Sequence, residues 1–426
     1  MKHGIITALD IGSSYVRSII ARLDENREIS VLGIGEAPTL GMEQGTVTDI
    51  EALSKTIRAS LEEAETLAKV SADNIFVNIT GTHIKTQLGD GRISISGLSP
   101  NEPGEIDTEH VQQVIEDAKN SVKIQKGFEH SRILHAMPQS YVIDGQANIK
   151  NPISMNAFHL TAQVYTILAE ITPIRNLAKC IELAGYEFDS ENIVLNHVAL
   201  SHSALSRDEK RLGCILIDIG GGTCDIALYN RGSLEKIAVI PMAGHNITED
   251  LAIGLKTTID SAELLKCNYG LALTDGIDPN LEVEVEGISG RPATKRSQQL
   301  ISHVVSRRVE EILNLCYNKL VGLYTPELVT AGVVLCGGSS LLKRIDEAAL
   351  QTFNLHVKLA KPSLEGMSGS VSRLDDPAFC TAVGILHYAS SLEREYTSTS
   401  LTKKAGAWGN KIKNFIKKIY RDFVPE

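Results

Sequence analysis

The 426-residue chain is long enough for two or more domains, and its 43% hydrophobic and 22% charged residues are ordinary for a globular protein. Its net charge of −10 argues against non-specific nucleic-acid binding by the body of the protein. We expect neither a membrane span nor a signal peptide, because the apolar runs are too short and Asp10 interrupts the first of them early.

The N-terminal region is predicted to begin with three successive strands, over residues 5–11, 15–23 and 28–36. The first two are joined by Asp10-Ile11-Gly12-Ser13-Ser14, in which Gly12 permits a tight turn beside an acidic residue. A helix is predicted over 49–70, because Leu53, Ile57 and Leu61 recur on one face. A short buried strand over 74–80 follows.

Residues 81–160 have a different pattern and predict a small inserted domain. The alternation of residues 82–97 around Gly89-Asp90-Gly91 is typical of a β-hairpin. A second amphipathic helix over 107–122 and strands over 133–143 and 158–171 complete this β/α block. It interrupts a first domain of residues 1–80, which we expect to be completed by residues 161–197 and 378–395.

The next segment repeats the N-terminal pattern. Thr172-Pro173 predicts a helix with Thr172 as N-cap and Pro173 as first residue, ending at Gly185. A strand over 193–195 and a helix over 198–205 lead into residues 214–229. There a strand ends at Asp218, the turn Gly220-Gly221-Gly222-Thr223 follows, and a second strand starts at Asp225. With a third strand over 234–240, this repeat predicts a second, similar domain of residues 198–244 and 329–377.

The C-terminal part alternates helices with short strands. Helices are predicted over 244–270, 295–323 and 378–391 and a strand over 281–288, so that residues 245–328 form a subdomain inserted in the second domain. An apolar strand over 331–336 ends in Gly337-Gly338-Ser339, and Leu341 begins another helix. Residues 362–377 read as a loop. Residues 390–405 lose all periodicity, which predicts a flexible linker at 396–407.

The glycine turns carry the chemistry of this sequence. Residues without side chains let backbone N–H groups approach an anion, and Asp10 and Asp218 beside two of the turns can hold Mg²⁺ through water. Two such halves predict a nucleotide clamped between similar domains, and the alternative is two unrelated glycine turns. The turn at Gly337 lacks the GxGxxG spacing of a dinucleotide site. The seven cysteines contain no CxxC pair and the histidines no HExxH motif, so we expect buried, reduced thiols and no metal site built from side chains.

The order strand–DxGSS–strand, strand–DxGGGTxD–strand and strand–CGGSS–helix resembles the nucleotide-binding pattern of the actin superfamily, which includes heat-shock chaperones and sugar kinases. The resemblance implies an α/β fold, the actin-like two-domain ATPase fold of duplicated RNase H-like domains, here with an inserted small β/α domain. It implies that backbone amides at Ser13, Ser14 and Gly220–Thr223 surround the β- and γ-phosphates of ATP, that Asp10 and Asp218 hold hydrated Mg²⁺, and that Gly337 and Gly338 lie against the adenosine.

Glu263 and Lys266 on one helix face either reach the ribose and base or form only a surface i,i+3 ion pair. The predicted nucleotide-binding residues are Asp10, Gly12, Ser13, Ser14, Asp218, Gly220, Gly221, Gly222, Thr223, Asp225, Glu263, Lys266, Gly337, Gly338 and Ser339.

A longer resemblance, to the bacterial cell-division family FtsA, covers nearly the whole chain. It rests on residues 8–14, 216–225, 246–252, 262–266, 334–339 and 381–387, and in the insert on 81–84 and 151–155. The chain departs from the family at Tyr15, where a lysine is usual, so that a lysine–phosphate contact there is in doubt and Arg17 is the candidate substitute. It also departs at Ser154-Met155-Asn156-Ala157, where the family has Gly-Met-x-Gly.

The FtsA resemblance implies an ATP-binding protein that polymerises at the cytoplasmic face of the inner membrane, peripherally, at the division septum. It implies that the protein anchors the FtsZ ring and recruits other divisome proteins. The FtsZ C-terminal peptide is expected to bind the subdomain of residues 245–328, where Arg291, Lys295 and Arg296 either meet an acidic peptide or form a solvated basic face. Filament contacts with further copies of the chain are implied, and nucleic acid is not an expected partner.

Residues 408–423 predict an amphipathic helix that lies in an anionic membrane surface. The last 26 residues carry seven Lys or Arg against two acidic residues, in contrast to the acidic body. The alternative is a helix docked on a protein surface. The apolar face consists of Trp408, Ile412, Phe415, Ile416, Ile419 and Phe423, and the basic residues are Lys411, Lys413, Lys417, Lys418 and Arg421.

Two other functions share this nucleotide pattern. A sugar or acyl kinase needs a carboxylate base over the substrate hydroxyl, and the sequence places none, since Asp225 is as easily structural. A chaperone-like ATPase needs a peptide-binding β-domain after the ATPase part, where this chain has only a linker and a short basic helix. The sequence identifies no catalytic residue. At most a slow ATPase is expected, with Asn196, His197 and Ser201 as candidates to position water.

Overall fold

The computed structural model describes residues 4–24, 28–97, 99, 101–278 and 280–398. These residues form two compact units. The first contains the chain up to Thr82, Ala178–Arg231 and Lys236–Ala389, and the second is centred on His83–Leu177. The predicted linker at 396–407 lies almost entirely beyond the described residues, and the predicted tail helix at 408–423 lies wholly beyond them.

The chain enters the first unit as an antiparallel meander of β1 (Ile5–Ile11), β2 (Tyr15–Leu23) and β3 (Ile29–Pro38). These strands are apolar on both faces and almost fully buried, as expected for the centre of a covered sheet. A small ribbon of two short strands, a long helix and a central strand follow: β4 (Met42–Glu43), β5 (Thr46–Val47), α1 (Ile50–Ala68) and β6 (Ile75–Ile79).

Helix α1 begins and ends where its sequence dictates. Asp49 is the N-cap and accepts a hydrogen bond from the Ala52 amide at 3.0 Å, and Lys69 ends the helix in the left-handed conformation. Its apolar face packs on β3 at Gly35, where a Cβ atom would overlap the Ser60 carbonyl oxygen.

The second unit contains a four-stranded antiparallel sheet with a helix across it and a separate two-stranded ribbon. Its elements are β7 (Ile84–Ser94), β8 (Gly104–Glu105), α2 (Thr108–Lys123), β9 (Ser131–Ile143), β10 (Gln146–Ile149), β11 (Asn156–Ala157) and β12 (His159–Glu170). The main sheet has the order β10-β9-β12-β7, and β8 pairs with β11. The core between sheet and helix contains Val111, Ile115, Leu160 and Val164.

The hairpin predicted at Gly89-Asp90-Gly91 is wrong, because β7 runs without a turn from Ile84 to Ser94. The two glycines serve packing instead. A Cβ atom on Gly89 would lie 2.5 Å from the Ala118 carbonyl oxygen, and one on Gly91 would overlap the Val114 carbonyl oxygen. Glycine therefore lets the backbone of α2 rest directly on the strand.

The chain returns to the first unit through α3 (Ile171–Leu183), and the strand and helices that lead to the second meander are β13 (Ile193–Leu195), α4 (Asn196–Ser203) and α5 (Arg207–Leu212). The meander consists of β14 (Cys214–Ile219), β15 (Cys224–Asn230) and β16 (Ser233–Ile240). Then follow α6 (Gly244–Leu255), α7 (Ile259–Tyr269), β17 (Glu282–Val285), β18 (Thr294–Ser297), α8 (Gln298–Asn318), β19 (Val333–Cys336), α9 (Ile345–Phe353), β20 (Val357–Leu359), β21 (Met367–Gly369) and α10 (Cys380–Ser398).

The two main sheets of the first unit repeat one topology. One has the order β13-β6-β1-β2-β3-β21, and the other has the order β16-β15-β14-β19-β20. In each, an antiparallel meander is extended on its first strand by two parallel strands, β6 and β13 or β19 and β20. The predicted duplication is therefore visible in the strand order as well as in the sequence.

Several predicted boundaries are wrong. The helix predicted over 244–270 is two helices, separated where Lys256 takes a left-handed conformation and Thr258 caps α7. The helix predicted from 295 begins at Gln298, since residues 294–297 pair with β17 and Ser297 is the N-cap.

Helix α3 starts at Ile171, ahead of the predicted Thr172-Pro173. The segment after Gly337 is a short 3₁₀ turn, and α9 starts at Ile345 instead of Leu341. Helix α10 continues to Ser398, past the predicted start of the linker.

Candidate functional site

The two meanders present matching turns. In the first, the Gly12 amide donates to the Tyr15 carbonyl at 3.0 Å, and in the second the Gly220 amide donates to the Thr223 carbonyl at 3.0 Å. Each turn follows an acidic residue in the last part of a buried strand, Asp10 in β1 and Asp218 in β14. The structure therefore brings both predicted aspartates to the turn end of their strands.

The residues that pair with the two aspartates across their hairpins differ. Asp10 pairs across the hairpin with Arg17, whereas Asp218 pairs with Asp225. Side chains of directly opposed residues in an antiparallel pair share one face of the sheet. The first hairpin thus presents an acid and a base on this face, and the second presents two acids.

The two turns touch each other, and the glycines make room for this contact. A Cβ atom on Gly221 would overlap the Ser14 hydroxyl, and one on Gly222 would lie 2.5 Å from the Ser13 hydroxyl. His245, at the start of α6, lies with Nε2 2.9 Å from Ser14 Oγ, and its backbone amide donates to the Gly221 carbonyl at 2.7 Å. The hairpin of one half is therefore joined to the hairpin and helix of the other.

The third glycine turn lies against the second. Gly337 has φ +85°, and a Cβ atom there would overlap Asp218 Oδ1, so this position demands glycine for both conformation and space. The Ser339 hydroxyl donates to the Gly220 carbonyl at 2.7 Å. The second turn is therefore in contact with both the first and the third.

Glu263 and Lys266 form the i,i+3 ion pair, with Nζ 2.7 Å from Oε2. Lys266 Nζ also donates to Thr248 Oγ1 at 2.9 Å and to the Gly244 carbonyl at 3.2 Å. Thr248 donates in turn to Glu263 at 2.5 Å. The pair ties α7 to the first turn of α6, and both side chains line the cavity described below.

Three buried carboxylates lie at the centre of the site. Burial raises the pKa of Asp10 and of Asp218 to about 7 and that of Asp225 to about 6, and the neighbouring acids raise the first two further. The charge of Arg17 opposes the rise for Asp10 and Asp218. Burial disfavours a charge that water no longer solvates, so these groups favour either protonation or a cation.

Polar side chains that the sequence had not singled out support the carboxylates. Asn78 Nδ2 donates to Asp10 Oδ1 at 2.9 Å, and Asn78 Oδ1 accepts from the Ile11 amide at 2.8 Å. The Thr80 hydroxyl donates to Asp225 Oδ1. Asn78 belongs to β6 and Thr80 follows the strand directly, and the only signal in the sequence was a polar residue in an otherwise apolar buried strand.

The three residues predicted as candidates to position water have different surroundings. Asn196 lines the cavity and donates through Nδ2 to Asp218 at 3.1 Å and to Asp225 at 2.8 Å. Its buried Oδ1 has no partner among the described residues. His197 lies with Nε2 3.2 Å from the Ala238 carbonyl, and burial lowers its pKa to about 4, so it is neutral. Ser201 donates to Val198 within α4 at 2.9 Å.

A cavity of about 420 Å³ lies among the three turns, the carboxylates and α7, within the range of small-ligand sites. Every predicted nucleotide-binding residue lines it. In the described part of the chain, no three or more His, Cys, Asp or Glu side chains form a group that could hold a metal ion directly. No helix in that part is long and apolar enough to cross a membrane. All seven cysteines are free, and only Cys267 is exposed.

Comparison with known families and proteins gives consistent matches. The family model for cell division protein FtsA matches residues 215–384, and the model for the SHS2 domain inserted in FtsA matches residues 81–168. The cell division protein FtsA of Neisseria meningitidis serogroup B is 35% identical over 389 residues, 91% of each chain. That of Escherichia coli K12 is 31% identical over 426 residues, 98% of each chain.

Solved structures share the fold at low sequence identity. The PilM-PilN type IV pilus biogenesis complex matches at a TM-score of 0.62 with 15% identity, covering 89% of this chain and 97% of that one. MreB5 of Spiroplasma citri bound to ADP matches at 0.52 with 15% identity, covering 94% and 99%. These likenesses confirm the predicted actin-like fold, and the SHS2 match at residues 81–168 confirms the inserted small domain.

Proposed function

The chain belongs to the FtsA family of cell division proteins, and from this premise we propose that it binds ATP and Mg²⁺ in the cavity between its two glycine hairpins. The nucleotide-bound protein assembles into filaments on the inner face of the cell membrane and anchors the FtsZ ring at the septum. The observation that carries the nucleotide proposal is the convergence of three glycine turns and three buried carboxylates on one cavity.

The residues present fit a nucleotide with its cation. The turn amides at Ser13, Ser14 and Gly220–Thr223 can donate to phosphate oxygens, because glycine removes the side chains that would cover them. Asp10 and Asp218, with pKa values raised to about 7, fit a cation held through water. When bound, Mg²⁺ supplies the charge that these carboxylates and the phosphates both require. The structure of MreB5 bound to the ATP analogue AMPPNP belongs to the same fold and supports a triphosphate as ligand.

Equilibrium binding of a fluorescent ATP analogue, with Mg²⁺ or with EDTA, tests this proposal. We expect saturable binding that weakens at least tenfold in EDTA, an order-of-magnitude expectation for losing a phosphate counter-ion. Gly337→Ala should abolish it, because Gly337 has φ +85° and a methyl group there would overlap Asp218 Oδ1 and lie 2.7 Å from the Ile219 carbonyl oxygen. Gly254→Ala is the matched control, since its Cβ atom has no described neighbour closer than 3.9 Å. Binding that survives Gly337→Ala unchanged would reject the site.

The subdomain of residues 245–328 is the proposed docking place for the acidic FtsZ C-terminal peptide. It contains α6, α7, α8 and the β17–β18 ribbon. Arg291, Lys295 and Arg296 are exposed around this ribbon. Only Lys295 has an acidic partner among the described residues, Glu282 at 3.3 Å, and both side chains are more than half exposed. Such a solvent-screened pair is weak, so the three basic side chains remain able to contact an acidic partner beside the exposed Glu282, Glu284 and Glu286.

Attachment to the membrane is assigned to residues 408–423, which lie outside the described residues. Their sequence combines aromatic and aliphatic residues at helical spacing with five basic residues. Each basic residue near an anionic surface contributes roughly 1 kcal/mol, and the apolar face adds to this. One tail should therefore bind reversibly, whereas a filament carrying many tails should remain bound through its high effective concentration. Polymerisation would then control residence on the membrane.

A further inference from the structure

Arg17 lies beside the carboxylates although the glycine turns do not contain it. It is directly opposite Asp10 in the β1–β2 register, so its side chain leaves the sheet on the same face. Its charge lowers the pKa of both Asp10 and Asp218, which places the guanidinium near the two of them. Arg17 also lines the cavity, and only 15% of its side chain is exposed.

The guanidinium of Arg17 is held in place by three side chains. Nε donates to Glu36 Oε2 at 2.6 Å. The guanidinium carbon is 5.3 Å from the ring centroid of Tyr15 and 5.1 Å from that of Phe379. Tyr15 begins β2, and Phe379 belongs to the 3₁₀ turn just before α10, so the two rings come from distant parts of the chain. Contacts of this kind fix the plane of an arginine and reduce the conformational entropy that it loses on binding.

The remaining donors of Arg17 are available for a ligand. Nη1 and Nη2 donate to no group in the described part of the chain, whereas Nε is already bonded to Glu36. A planar edge with unpaired N–H groups matches the geometry of phosphate oxygens. Lys266 also lines the cavity but is paired with Glu263 at 2.7 Å, so Arg17 is the cation that lies beside Asp10 and the Ser13–Ser14 turn with donors to spare.

We propose that Arg17 binds the terminal phosphates of the nucleotide, and that Tyr15, Phe379 and Glu36 hold it ready for this contact. This inference rests on the proposed function, namely that the cavity binds a nucleoside triphosphate. Arg17, two residues further along β2, would then make the phosphate contact that a lysine at position 15 would make from the start of the strand.

The test is the affinity of the full-length protein for ATP, ADP and AMP in Mg²⁺, compared between wild type and Arg17→Gln. We expect ATP affinity to fall about 10- to 100-fold, the range for a charge-assisted phosphate contact, and AMP affinity to change less than about twofold. Arg22→Gln on the same strand, outside the cavity, is the matched control and should change neither. Arg17→Lys keeps the charge without the planar fork and should give an intermediate loss.

Moving the positive charge from position 17 to position 15 gives a second test of the phosphate contact. Tyr15→Lys in the Arg17→Gln background returns a cation to the same face of β2 and should recover part of the ATP affinity. An equal loss of ATP and AMP affinity, or a lower unfolding midpoint with an unchanged ATP-to-AMP ratio, would show that Arg17 only balances Asp10 and Glu36 and would overturn the inference. If wild-type protein binds none of the three nucleotides, the proposed function itself fails.

Discussion

Replacement of Asp218 by Asn should stabilise the nucleotide-free protein at alkaline pH, although Asp218 lies at the centre of the site. Asn has nearly the same shape and can still accept the hydrogen bond that Asn196 donates to this side chain at 3.1 Å. What it removes is a carboxylate that is buried and directly opposite a second acid, Asp225. The perturbation is therefore mainly electrostatic.

The magnitude follows from the pKa of Asp218, which rises from 3.8 to about 7 on folding, first through burial and then through Asp225. One pKa unit corresponds to about 1.4 kcal/mol, so ionised Asp218 costs the folded state on the order of 4 kcal/mol. Because the folded pKa is raised, the folded state binds the proton more tightly, and stability is lost as pH rises from about 4 to about 7. We expect Asp218→Asn to be more stable by roughly 2–4 kcal/mol at pH 8 and nearly neutral at pH 4.

Urea unfolding midpoints in EDTA, at pH 4 and pH 8, measure this difference. Asp90→Asn, which changes an exposed carboxylate on β7, is the control and should shift the midpoint at neither pH. Adding ATP and Mg²⁺ should reverse the order at pH 8, because wild type gains binding energy that the variant lacks. A variant that is destabilised equally at both pH values in EDTA would refute the reasoning, since the carboxylate would then not be costly in the empty site.

Three further predictions concern other parts of the chain. Gly91→Ala should destabilise the second unit by several kcal/mol in thermal unfolding, because its methyl group overlaps the backbone of α2, whereas Gly254→Ala should be neutral or stabilise by up to about 1 kcal/mol. Reversing the three basic charges around the β17–β18 ribbon to Glu should weaken binding of the FtsZ C-terminal peptide at least about tenfold in an anisotropy assay, with Lys55→Glu on α1 as the control. Protein lacking residues 408–423 should no longer co-sediment with anionic vesicles, and undiminished co-sedimentation would contradict the tail assignment.

The sequence predicted those parts of the fold that depend on local pattern. Both meanders and α1 could be found because apolar runs, turn residues and a capping Asp49 lie within a few positions of each other. The hairpin predicted at Gly89 and Gly91 was wrong, because these glycines are needed where α2 packs on the strand. The helix residues that they contact lie some 25 positions away in the sequence. The break between α6 and α7 has no proline, only a left-handed Lys256, and could not be seen in the sequence.

The same distinction between local pattern and long-range contact applies to the residues of the site. Asp10, Asp218 and the glycines beside them could be predicted, because each of the two hairpin turns carries its acid within three residues. Asn78 and Thr80 could not, because their role depends on β6 lying beside β1, a pairing that joins residues about 68 positions apart. The contacts of Arg17 with Phe379 and Glu36 likewise exist only after folding. Residues within one turn motif could thus be predicted from the sequence, whereas the residues of other elements that hydrogen-bond to them could not.

The two hairpins are equivalent in topology but differ in charge, and this difference makes the two halves of the duplicated fold unequal. Cross-strand pairing sets Asp10 against Arg17 in the first hairpin and Asp218 against Asp225 in the second. Like charges in directly opposed positions destabilise a sheet, so the second hairpin has a deficit of positive charge that the first can supply only in part. A hydrated cation would satisfy the second hairpin, and phosphate would satisfy the spare donors of Arg17 in the first. A nucleotide with Mg²⁺ supplies both charges together, and its binding should therefore draw the two halves of the first unit onto one ligand.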